Sequence, residues 1–326
     1  MKKDCLLSLK NVVKDFPTAA GFRKRHTYAV NGVSLDVYKG ETLGVVGESG
    51  CGKSTLGRVI LKLLPKTSGE ILFDGVDIDA VNGRDMRKLR KRMQIVFQDP
   101  AASLNPRMTI GQIIGEPLQF HEKLSRKETE LRVREMLELV HLPEGAYDKY
   151  PHEFSGGQQQ RVGIARALIT KPDFLVCDEA VSALDVSVQA QILNLLSSLK
   201  KELNLTCLFI SHNLSVIRHV SDRIAVMYLG EIVEIGTSEQ IFQNPLHPYT
   251  KALLSAIPVV SNERVYGARL ILEGDLPSPM DLPSGCRFHT RCPHCTEQCG
   301  KHRMELTEVE NGHSVACWLH NSGIKE

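Results

Sequence analysis

The sequence lacks any uninterrupted apolar run close to the roughly 18–20 residues that a membrane-spanning helix needs. It also lacks an excess of charge, since 40 basic and 38 acidic side chains leave a formal net charge of +2. That balance gives no bulk electrostatic basis for binding nucleic acid or an anionic membrane surface. The apolar stretch after the first basic residues is very short, so we expect no secretory signal. Internal repeats and low-complexity tracts are missing as well, and the composition excludes a disordered or collagen-like chain.

The cysteines are distributed unevenly along a chain of 326 residues, a length that suggests about two domains. Four of the nine cysteines are spread over residues 1–285, and five fall within residues 286–317. Residues beyond about 244 are also rich in proline and poor in periodicity. We therefore predict a boundary near residue 244, with a small cysteine-rich C-terminal extension over residues 244–326 and the main domain over residues 1–243.

Short apolar runs alternate with helical patterns in the main domain. We predict strands at residues 42–46, 94–97, 174–177 and 207–210. Strands alternating with helices are typical of an α/β fold with a mostly parallel sheet, and residues before 40 have the pattern of edge strands. Between about 99 and 160 the strand signal disappears, and residues 128–140 follow a helical period. This segment is predicted to be a helical insertion.

Residues 47–54, GESGCGKS, form a glycine-rich turn between a predicted strand and a predicted helix that ends at Pro65. They fit the pattern G-x-x-x-x-G-K-[ST], in which backbone N–H groups surround phosphates at the positive end of a helix. Lys53 is expected to reach the β- and γ-phosphates, and the Ser54 hydroxyl to bind Mg²⁺. The alternative is a glycine-rich turn that binds nothing, which the context on both sides disfavours.

A second candidate site follows the apolar run at residues 174–177, where Asp178 and Glu179 come in succession. Asp178 at the tip of a strand is suited to hold Mg²⁺ through water, and Glu179 to polarise an attacking water. Acidic pairs after apolar runs are common, so the Asp178-Glu179 pair indicates a catalytic site only in combination with the phosphate-binding pattern at residues 47–54.

The order of motifs resembles that of ATP-binding cassette (ABC) ATPases over roughly residues 5–240. The matching elements are the loop at 47–54, Gln98, the SGGQ turn at 155–158, the Asp-Glu pair, the SALD segment at 182–185, and His212. The resemblance implies a P-loop NTPase fold with a RecA-like core, an antiparallel β subdomain and a helical subdomain at about 99–160. Two positions depart from the family pattern: Ala180 replaces a usual proline and Phe154 a usual leucine.

The resemblance also implies residue roles. Glu179 is expected to be the general base, His212 to bond the γ-phosphate, and Gln98 to sense Mg²⁺ and the attacking water. Magnesium is assigned to Ser54, Gln98 and Asp178. Phe16 would stack on adenine, although Tyr28 is a rival and a core position for Phe16 stays open. The nucleotide contacts implied are Phe16, Gly47, Ser49, Gly50, Cys51, Gly52, Lys53, Ser54 and Thr55, and, for nucleotide bound by an opposing subunit, Ser155, Gly156, Gly157 and Gln158, with Asp185 at the dimer interface.

Four further segments, FQDP at 97–100, SLNP at 103–106, YPHEF at 150–154 and HPYT at 247–250, resemble the cassettes of bacterial oligopeptide, dipeptide and nickel importers. Residues 103–118 and 158–161 are more similar to the second, F-type cassette of such systems. The resemblance implies partners: a second, non-identical cassette, two transmembrane permease subunits and an extracytoplasmic solute-binding protein, with no nucleic acid. It implies a peripheral location on the cytoplasmic face of the bacterial inner membrane.

The C-terminal cysteines are Cys286, Cys292, Cys295, Cys299 and Cys317. Dense thiols in a cytosolic protein favour metal binding over disulfides, and the C-x-x-C step at 292–295 makes zinc a reasonable ligand. The importer resemblance instead implies a [4Fe–4S] cluster on Cys286, Cys292, Cys299 and Cys317, and unmetallated thiols are the third possibility. Arg287 and Arg291 are predicted to be either solvated charges or donors that face a cluster.

Other functions remain open. A soluble ABC ATPase that acts on DNA or ribosomes is disfavoured because the chain has one cassette and no sustained heptad run. A regulatory cassette that binds ATP without hydrolysing it is disfavoured by the presence of Glu179 and His212. The transported solute is not encoded in an obvious motif: peptides are the first expectation, and nickel or glutathione are alternatives.

Overall fold

The structure is a computed structural model, and it describes residues 4–20, 23–122, 124–257 and 277–320. The chain divides into two compact units. Unit one comprises Met1–Leu6, Tyr38–Glu41 and Val76–Ile210, and unit two comprises Leu7–Val37, Thr42–Gly75 and Ser211–Glu326. Residues 211–326, which include the predicted extension, thus belong to the same unit as the phosphate-binding motif.

The described strands are β1 (Cys5–Ala20), β2 (Arg23–Tyr38), β3 (Thr42–Val46), β4 (Ser68–Phe73), β5 (Val76–Asp77), β6 (Met93–Val96), β7 (Phe174–Asp178), β8 (Thr206–Ser211), β9 (Arg223–Tyr228), β10 (Glu231–Thr237), β11 (Thr307–Glu310) and β12 (His313–Val315). The described α-helices are α1 (Lys53–Ile60), α2 (Gly83–Arg92), α3 (Pro100–Ser103), α4 (Ile110–Glu122), α5 (Arg126–Leu139), α6 (Gly156–Leu168), α7 (Val186–Leu203), α8 (Leu214–Val220), α9 (Ser238–Gln243), α10 (Pro248–Ser255) and α11 (Glu297–Lys301). Short 3₁₀ turns cover Glu144–Ala146, Pro151–Glu153 and His289–Arg291.

Unit one contains three parallel strands in the order β8-β7-β6. Every residue of β7 is buried, which agrees with its continuous apolar sequence and with a strand covered on both faces. The parallel register aligns Val176 with Ile95 on one side and with Leu208 on the other. These strands and the intervening helices confirm the predicted α/β class.

The segment between β6 and α6 contains helices and, among its described residues 97–122 and 124–155, no strand. Helix α5 begins at a capping box, in which the Ser125 side chain accepts from the Glu128 N–H and the Glu128 carboxylate accepts from the Ser125 N–H. Its buried side chains include Val133, Met136 and Leu137, which come from the periodic positions of the sequence. The helical period detected at 128–140 therefore reports a real amphipathic helix.

Unit two is built on β3 and β9, which run parallel, followed by β10, which is antiparallel to β9. The C-terminal hairpin of β11 and β12 continues this sheet, because β12 pairs with β10 through Glu234 and Val315. A second, antiparallel pairing joins β1 to β4, with Leu7 opposite Phe73. The strands predicted before residue 40 are β1 and β2, but only β2 is an edge strand, because β1 lies between β2 and β4.

Two local predictions differ from the structure. Helix α1 ends at Ile60, before Pro65, because Lys62 adopts a left-handed backbone with φ of 51° and the Leu63 and Leu64 N–H groups turn back to the Arg58 carbonyl. The expected loss of regular structure at 244–249 is also incomplete. His247 caps α10 there, and its ring nitrogen accepts the Tyr249 N–H. Among the described residues, no helix has the length and apolar character needed to cross a bilayer.

Candidate functional site

The phosphate-binding motif lies in unit two, in the turn that joins β3 to α1. The Lys53 side chain is only 4% exposed, and its ammonium donates to the carbonyl oxygens of Gly47 and Glu48, both at 2.9 Å. Ser54 and Thr55 follow in the first turn of α1 and are partly buried. Backbone carbonyls therefore hold the lysine at the mouth of a turn whose N–H groups precede a helix, the arrangement that favours phosphate.

Gly52 shows why this turn needs glycine. Its φ is 105°, and a Cβ built on it would lie 1.8 Å from the Ala29 carbonyl oxygen. No side chain fits there without moving backbone, so the close approach to β2 is possible only for glycine. Cys51 is buried beside it, and burial raises the pKa of its thiol.

Glu48 is the one side chain of the turn with an ion-pair partner in the described structure. Both terminal nitrogens of Arg291 donate to its carboxylate, with Nη1 3.0 Å from Oε2 and Nη2 3.3 Å from Oε1. The Glu48 N–H donates to the Tyr249 hydroxyl oxygen at 2.9 Å. The turn is thus attached to two residues that lie far along the chain.

The remaining nucleotide candidates of unit two are exposed. Phe16 is 38% exposed with the Lys14 ammonium 4.8 Å from its ring centroid, so it is not a core residue. Tyr28 is 37% exposed and has the same accessibility for stacking. His212 follows the last residue of β8 and is exposed. Phe16 and Tyr28 both remain candidates for contact with a base.

The catalytic candidates of unit one meet at the end of β7. The Gln98 amide nitrogen donates to the Glu179 carboxylate at 3.1 Å, although the two residues are 81 positions apart. Glu179 has a φ of 49°, a left-handed backbone that costs a non-glycine residue on the order of 1–3 kcal/mol. Its N–H donates to the Ile210 carbonyl, and its own carbonyl accepts from the N–H and hydroxyl of Ser182. The fold therefore holds the Gln98 amide against the Glu179 carboxylate, and the backbone of Glu179 itself is strained.

The magnesium candidates have different surroundings. Asp178 is the last residue of β7 and is 4% exposed, so its carboxylate lies at the carboxyl end of a parallel strand. Ser54 lies on the first turn of α1, where the helix dipole favours anions nearby. Carboxylate, hydroxyl and amide oxygens are hard donors of the kind that Mg²⁺ accepts, so the chemistry of Asp178, Ser54 and Gln98 fits the ion.

The SGGQ turn forms the start of α6 in unit one. Ser155 is the N-cap, and its side chain accepts from the Gln158 N–H while the Gln158 side chain accepts from the Ser155 N–H. A Cβ on Gly157 would lie 2.4 Å from Val188 Cγ1, so α7 packs against this glycine. Gly156, in the same SGGQ turn, faces the Leu184 side chain. The residue after Leu184 is Asp185, the exposed N-cap residue of α7. The predicted SGGQ and SALD segments are therefore adjacent.

Comparison with known proteins decides the family. Residues 30–182 match the model of the ABC transporter family, and residues 233–299 match that of the oligopeptide/dipeptide transporter C-terminal region. The oligopeptide transport ATP-binding protein AppF of Bacillus subtilis is 50% identical over 324 residues, 98% of each chain. The chain belongs to the ABC transporter ATPases. Members of this family bind ATP and hydrolyse it to power transport.

Further relatives of this ABC ATPase agree in sequence and in fold. The oligopeptide transport ATP-binding protein OppF of Salmonella typhimurium is 53% identical over 89% of this chain and 87% of its own. Among solved structures, the ATP-binding cassette MJ0796 bound to ADP and Pi has a TM-score of 0.64 at 32% identity, over 72% of this chain and 99% of its own. CbiO1 of Clostridium perfringens has a TM-score of 0.65 at 30% identity, over 74% of this chain and 92% of its own. The cassette fold predicted from the motifs is confirmed.

The C-terminal cysteines of the ABC ATPase lie in unit two around one small pocket. Cys286, Cys292, Cys299 and Cys317 line it together with apolar and aromatic side chains that include Phe288 and Trp318. Burial raises the pKa of Cys286 to about 12 and that of Cys292 to about 11, and neighbouring cysteines add to both shifts. Among the described residues, no group of three or more His, Cys, Asp or Glu is arranged to hold a single metal ion.

Sequence reasoning missed the contacts of Arg287 and Arg291 in this segment. Arg291 is only 9% exposed and pairs with Glu48, and Arg287 is 16% exposed and pairs with Glu231. Neither is a solvated charge, as one interpretation predicted. Tyr249, whose hydroxyl oxygen accepts from the Glu48 N–H, lies in the HPYT segment, which the sequence identifies only as typical of the importer cassettes. No short-range pattern links these positions to the phosphate-binding turn.

Proposed function

We propose that this ABC ATPase is the ATP-hydrolysing subunit of a peptide importer. The observation that carries the proposal is the continuity of the similarity, which runs from the phosphate-binding turn through the oligopeptide/dipeptide transporter C-terminal region. Relatives named as oligopeptide transport ATP-binding proteins match nearly the whole chain. A solute other than a peptide, such as nickel or glutathione, is the alternative.

The chemistry assigned to this chain begins with the turn at 47–54, whose N–H groups and Lys53 hold the phosphates of ATP. Mg²⁺, held by Ser54, Asp178 and Gln98, would neutralise charge on the phosphates when bound. Glu179 accepts a proton from the attacking water, and Gln98, bonded to the Glu179 carboxylate, orients that water and the base. His212 donates to the γ-phosphate.

Residues at the start of α6 are assigned to a partner's nucleotide. Ser155 and Gly156 are exposed at the positive end of a 13-residue helix, where an anion is favoured. We assign Ser155, Gly156, Gly157 and Gln158 to the γ-phosphate of ATP bound by a second cassette, with Asp185 at the interface. Two cassettes would close on two ATP molecules and reopen after hydrolysis, which drives the permease subunits.

The partners and location follow from this assignment. We propose a second, non-identical cassette, two transmembrane permease subunits and an extracytoplasmic solute-binding protein, with this chain peripheral on the cytoplasmic face of the membrane. The oligopeptide transport names of the relatives support these partners. The helical segment between β6 and α6 would contact the permease subunits, and residues 244–326 would form the family's C-terminal extension.

We assign Cys286, Cys292, Cys299 and Cys317 to a [4Fe–4S] cluster, with zinc as the alternative. Four thiols around one pocket match the ligand set of such a cluster, whereas a zinc ion needs all of its sulfur ligands at about 2.3 Å from one point. Cys295 is exposed and is left outside the set. When bound, the cluster would cross-link residues 286–317.

The cluster assignment is tested by metal content. Anaerobically purified protein should be brown and contain iron and acid-labile sulfide, and Cys286→Ser should lose them. Cys295→Ser serves as the matched control and should keep both. A colourless anaerobic preparation with one zinc per chain would contradict the assignment.

Transport is tested with the full complex. The chain would be purified with a second cassette and its permease subunits, placed in proteoliposomes with the solute-binding protein, and assayed for ATP hydrolysis with and without peptides. We expect peptides to stimulate hydrolysis and to accumulate inside the vesicles. Stimulation by nickel or glutathione alone would overturn the peptide assignment, and hydrolysis indifferent to every solute would favour a soluble or regulatory ATPase.

The base is tested in the same assay. Glu179→Gln should bind ATP but lose about a thousandfold in hydrolysis, because an amide does not accept the proton of water. The exposed Glu202, at the end of α7, supplies a matched control as Glu202→Gln. Substantial turnover by Glu179→Gln would contradict the assigned base.

A further inference from the structure

Arg291 and Glu48 form an ion pair that connects the cysteine segment to the phosphate-binding turn. The pair is bidentate, 243 positions apart in sequence, and largely shielded, with side-chain exposures of 9% for Arg291 and 26% for Glu48. Arg291 Nη1 also lies 3.5 Å from the Tyr228 hydroxyl. An arginine fork held on a carboxylate in this way fixes geometry as well as charge.

Glu48 is at the centre of the contacts that shape the turn. Its carbonyl oxygen accepts from the Lys53 ammonium at 2.9 Å and from the Cys51 N–H at 3.3 Å. Its N–H donates to the Tyr249 hydroxyl, and its carboxylate accepts from Arg291. A displacement of Glu48 would therefore move the carbonyl oxygen that holds the Lys53 ammonium, the group assigned to the phosphates.

The backbone that carries Arg291 is firmly packed. Arg291 ends the 3₁₀ turn His289–Arg291 and directly precedes Cys292. Phe288, only 1% exposed, packs its ring 5.4 Å from the ring centroids of both Tyr228 and Tyr249. The Cys286 N–H donates to the Cys299 carbonyl at 2.7 Å, which joins the two halves of the cysteine segment. Arg291 is thus presented from a fixed support.

The negative charge of Glu48 explains why its ion pair with Arg291 matters for ATP binding. An unneutralised carboxylate at Glu48 would repel the phosphates of ATP at short range, and the repulsion would be strong because the site is shielded from water. We propose that Arg291 is a positioning residue for ATP binding, which neutralises Glu48 and holds it in place, so that the 3₁₀ turn His289–Arg291 supports the phosphate-binding turn. The inference rests on that turn being the ATP site of the proposed function.

The proposal predicts that substituting the two partners weakens ATP binding to different degrees. Arg291→Met leaves an unpaired anion beside the phosphates and should weaken the binding of a non-hydrolysable ATP analogue about tenfold. Glu48→Gln removes the anion and should weaken binding less than Arg291→Met does. The double variant Glu48→Gln/Arg291→Met should recover most of the lost affinity. If the arginine acted only through packing, both single variants would weaken binding alike and the double variant would be no better.

A matched control is available in the same segment. Arg287 is also an arginine in a shielded ion pair, but its partner Glu231 lies outside the phosphate-binding turn. Arg287→Met should bind the analogue with wild-type affinity. Arg291→Lys, which keeps the charge but not the fork, should fall between the wild type and Arg291→Met.

The binding and kinetic measurements use the full chain assembled with its partner subunits. Trp318 is the single tryptophan of the chain and lines the cysteine pocket, so the emission spectrum of the full chain, recorded without its partner subunits, reports whether that segment is intact in each variant. We expect unchanged emission for Arg291→Met and a raised KM for ATP with little change in kcat. Unaltered affinity in Arg291→Met, or a double variant no better than the single, would overturn the proposal. Wild-type protein that fails to bind the analogue would instead overturn the proposed function.

Discussion

The two glycine-containing turns of this ABC ATPase, the phosphate-binding turn at 47–54 and the SGGQ turn at 155–158, are held in different ways. The first is bonded to distant parts of its own unit through Tyr249 and Arg291, and its lysine is buried. The second is stabilised by a local capping box, and Ser155, Gly156 and Gln158 face outward. The phosphate-binding turn is therefore held by distant residues, whereas the SGGQ turn combines a local capping box with the packing of Gly157 against Val188.

Lys53→Ala tests the phosphate-binding turn and should have the largest effect on ATP affinity. The buried ammonium is the main cation of the turn, so we expect ATP affinity to fall by about a hundredfold, equal to about 3 kcal/mol. Equilibrium binding of labelled ATP to the full chain measures it. Lys62→Ala, at a partly exposed lysine beyond α1, serves as the control and should keep wild-type affinity. Unchanged affinity in Lys53→Ala would count against the phosphate site.

Gly157→Ala tests the SGGQ turn. Because its Cβ would lie 2.4 Å from Val188 Cγ1, the start of α6 must shift, and we expect hydrolysis by the assembled transporter to fall about tenfold or more. ATP binding to the chain alone should stay unchanged. Gly156→Ala has 3.6 Å to its nearest neighbour and should be milder. Equal losses in both variants would contradict the steric argument.

Gly52→Ala tests whether the phosphate-binding turn depends on the close approach of the Gly52 backbone to Ala29 in β2. The clash with the Ala29 carbonyl and the φ of 105° should lower the free energy of unfolding by about 2–3 kcal/mol. Gly50→Ala has a φ of 79° but open space around its Cβ, so it should cost only about 1 kcal/mol. Thermal and denaturant unfolding distinguish the two, and a larger loss for Gly50→Ala would refute the comparison.

Ser155→Ala has the smallest expected effect on stability. Loss of the cap on the Gln158 N–H should cost about 1 kcal/mol at the start of α6. Ser155→Asp restores the cap and should restore stability, but it places a negative charge where a partner's phosphate is expected, so hydrolysis by the complex should stay low. Recovery of hydrolysis in Ser155→Asp would argue against a phosphate contact at this position.

Much of the cassette was predictable because its motifs are local. The strand before residue 47 is predictable from its apolar run, which is buried in the structure. The turn is predictable from its glycines, because Gly50 and Gly52 adopt positive φ values. Ser155 is of a residue type that favours helix N-caps, and its side chain accepts from the Gln158 N–H. The end of α1 was mispredicted, since the left-handed Lys62, and not Pro65, terminates it. Sequence signals of helix ends are weak when a turn without glycine stops the helix.

The C-terminal region illustrates the limit. Its cysteine density and composition marked it as distinct, yet β12 pairs with β10, and Arg291 reaches Glu48. Strand pairing and ion pairs across hundreds of residues depend on the path of the whole chain, so composition alone does not reveal them. The left-handed backbone at Glu179 is similar, because a distant strand and Ser182 maintain it.

The sequence by itself determined which candidate reacting groups this ABC ATPase carries and in what order, because each motif is a short segment whose spacing sets its own backbone geometry. Only the tertiary structure decided which groups support them. It brought Gln98 to Glu179, Val188 to Gly157, and Arg291 to Glu48. Burial of the surrounding apolar side chains brings these pairs into contact, and charge and shape complementarity then fix their geometry.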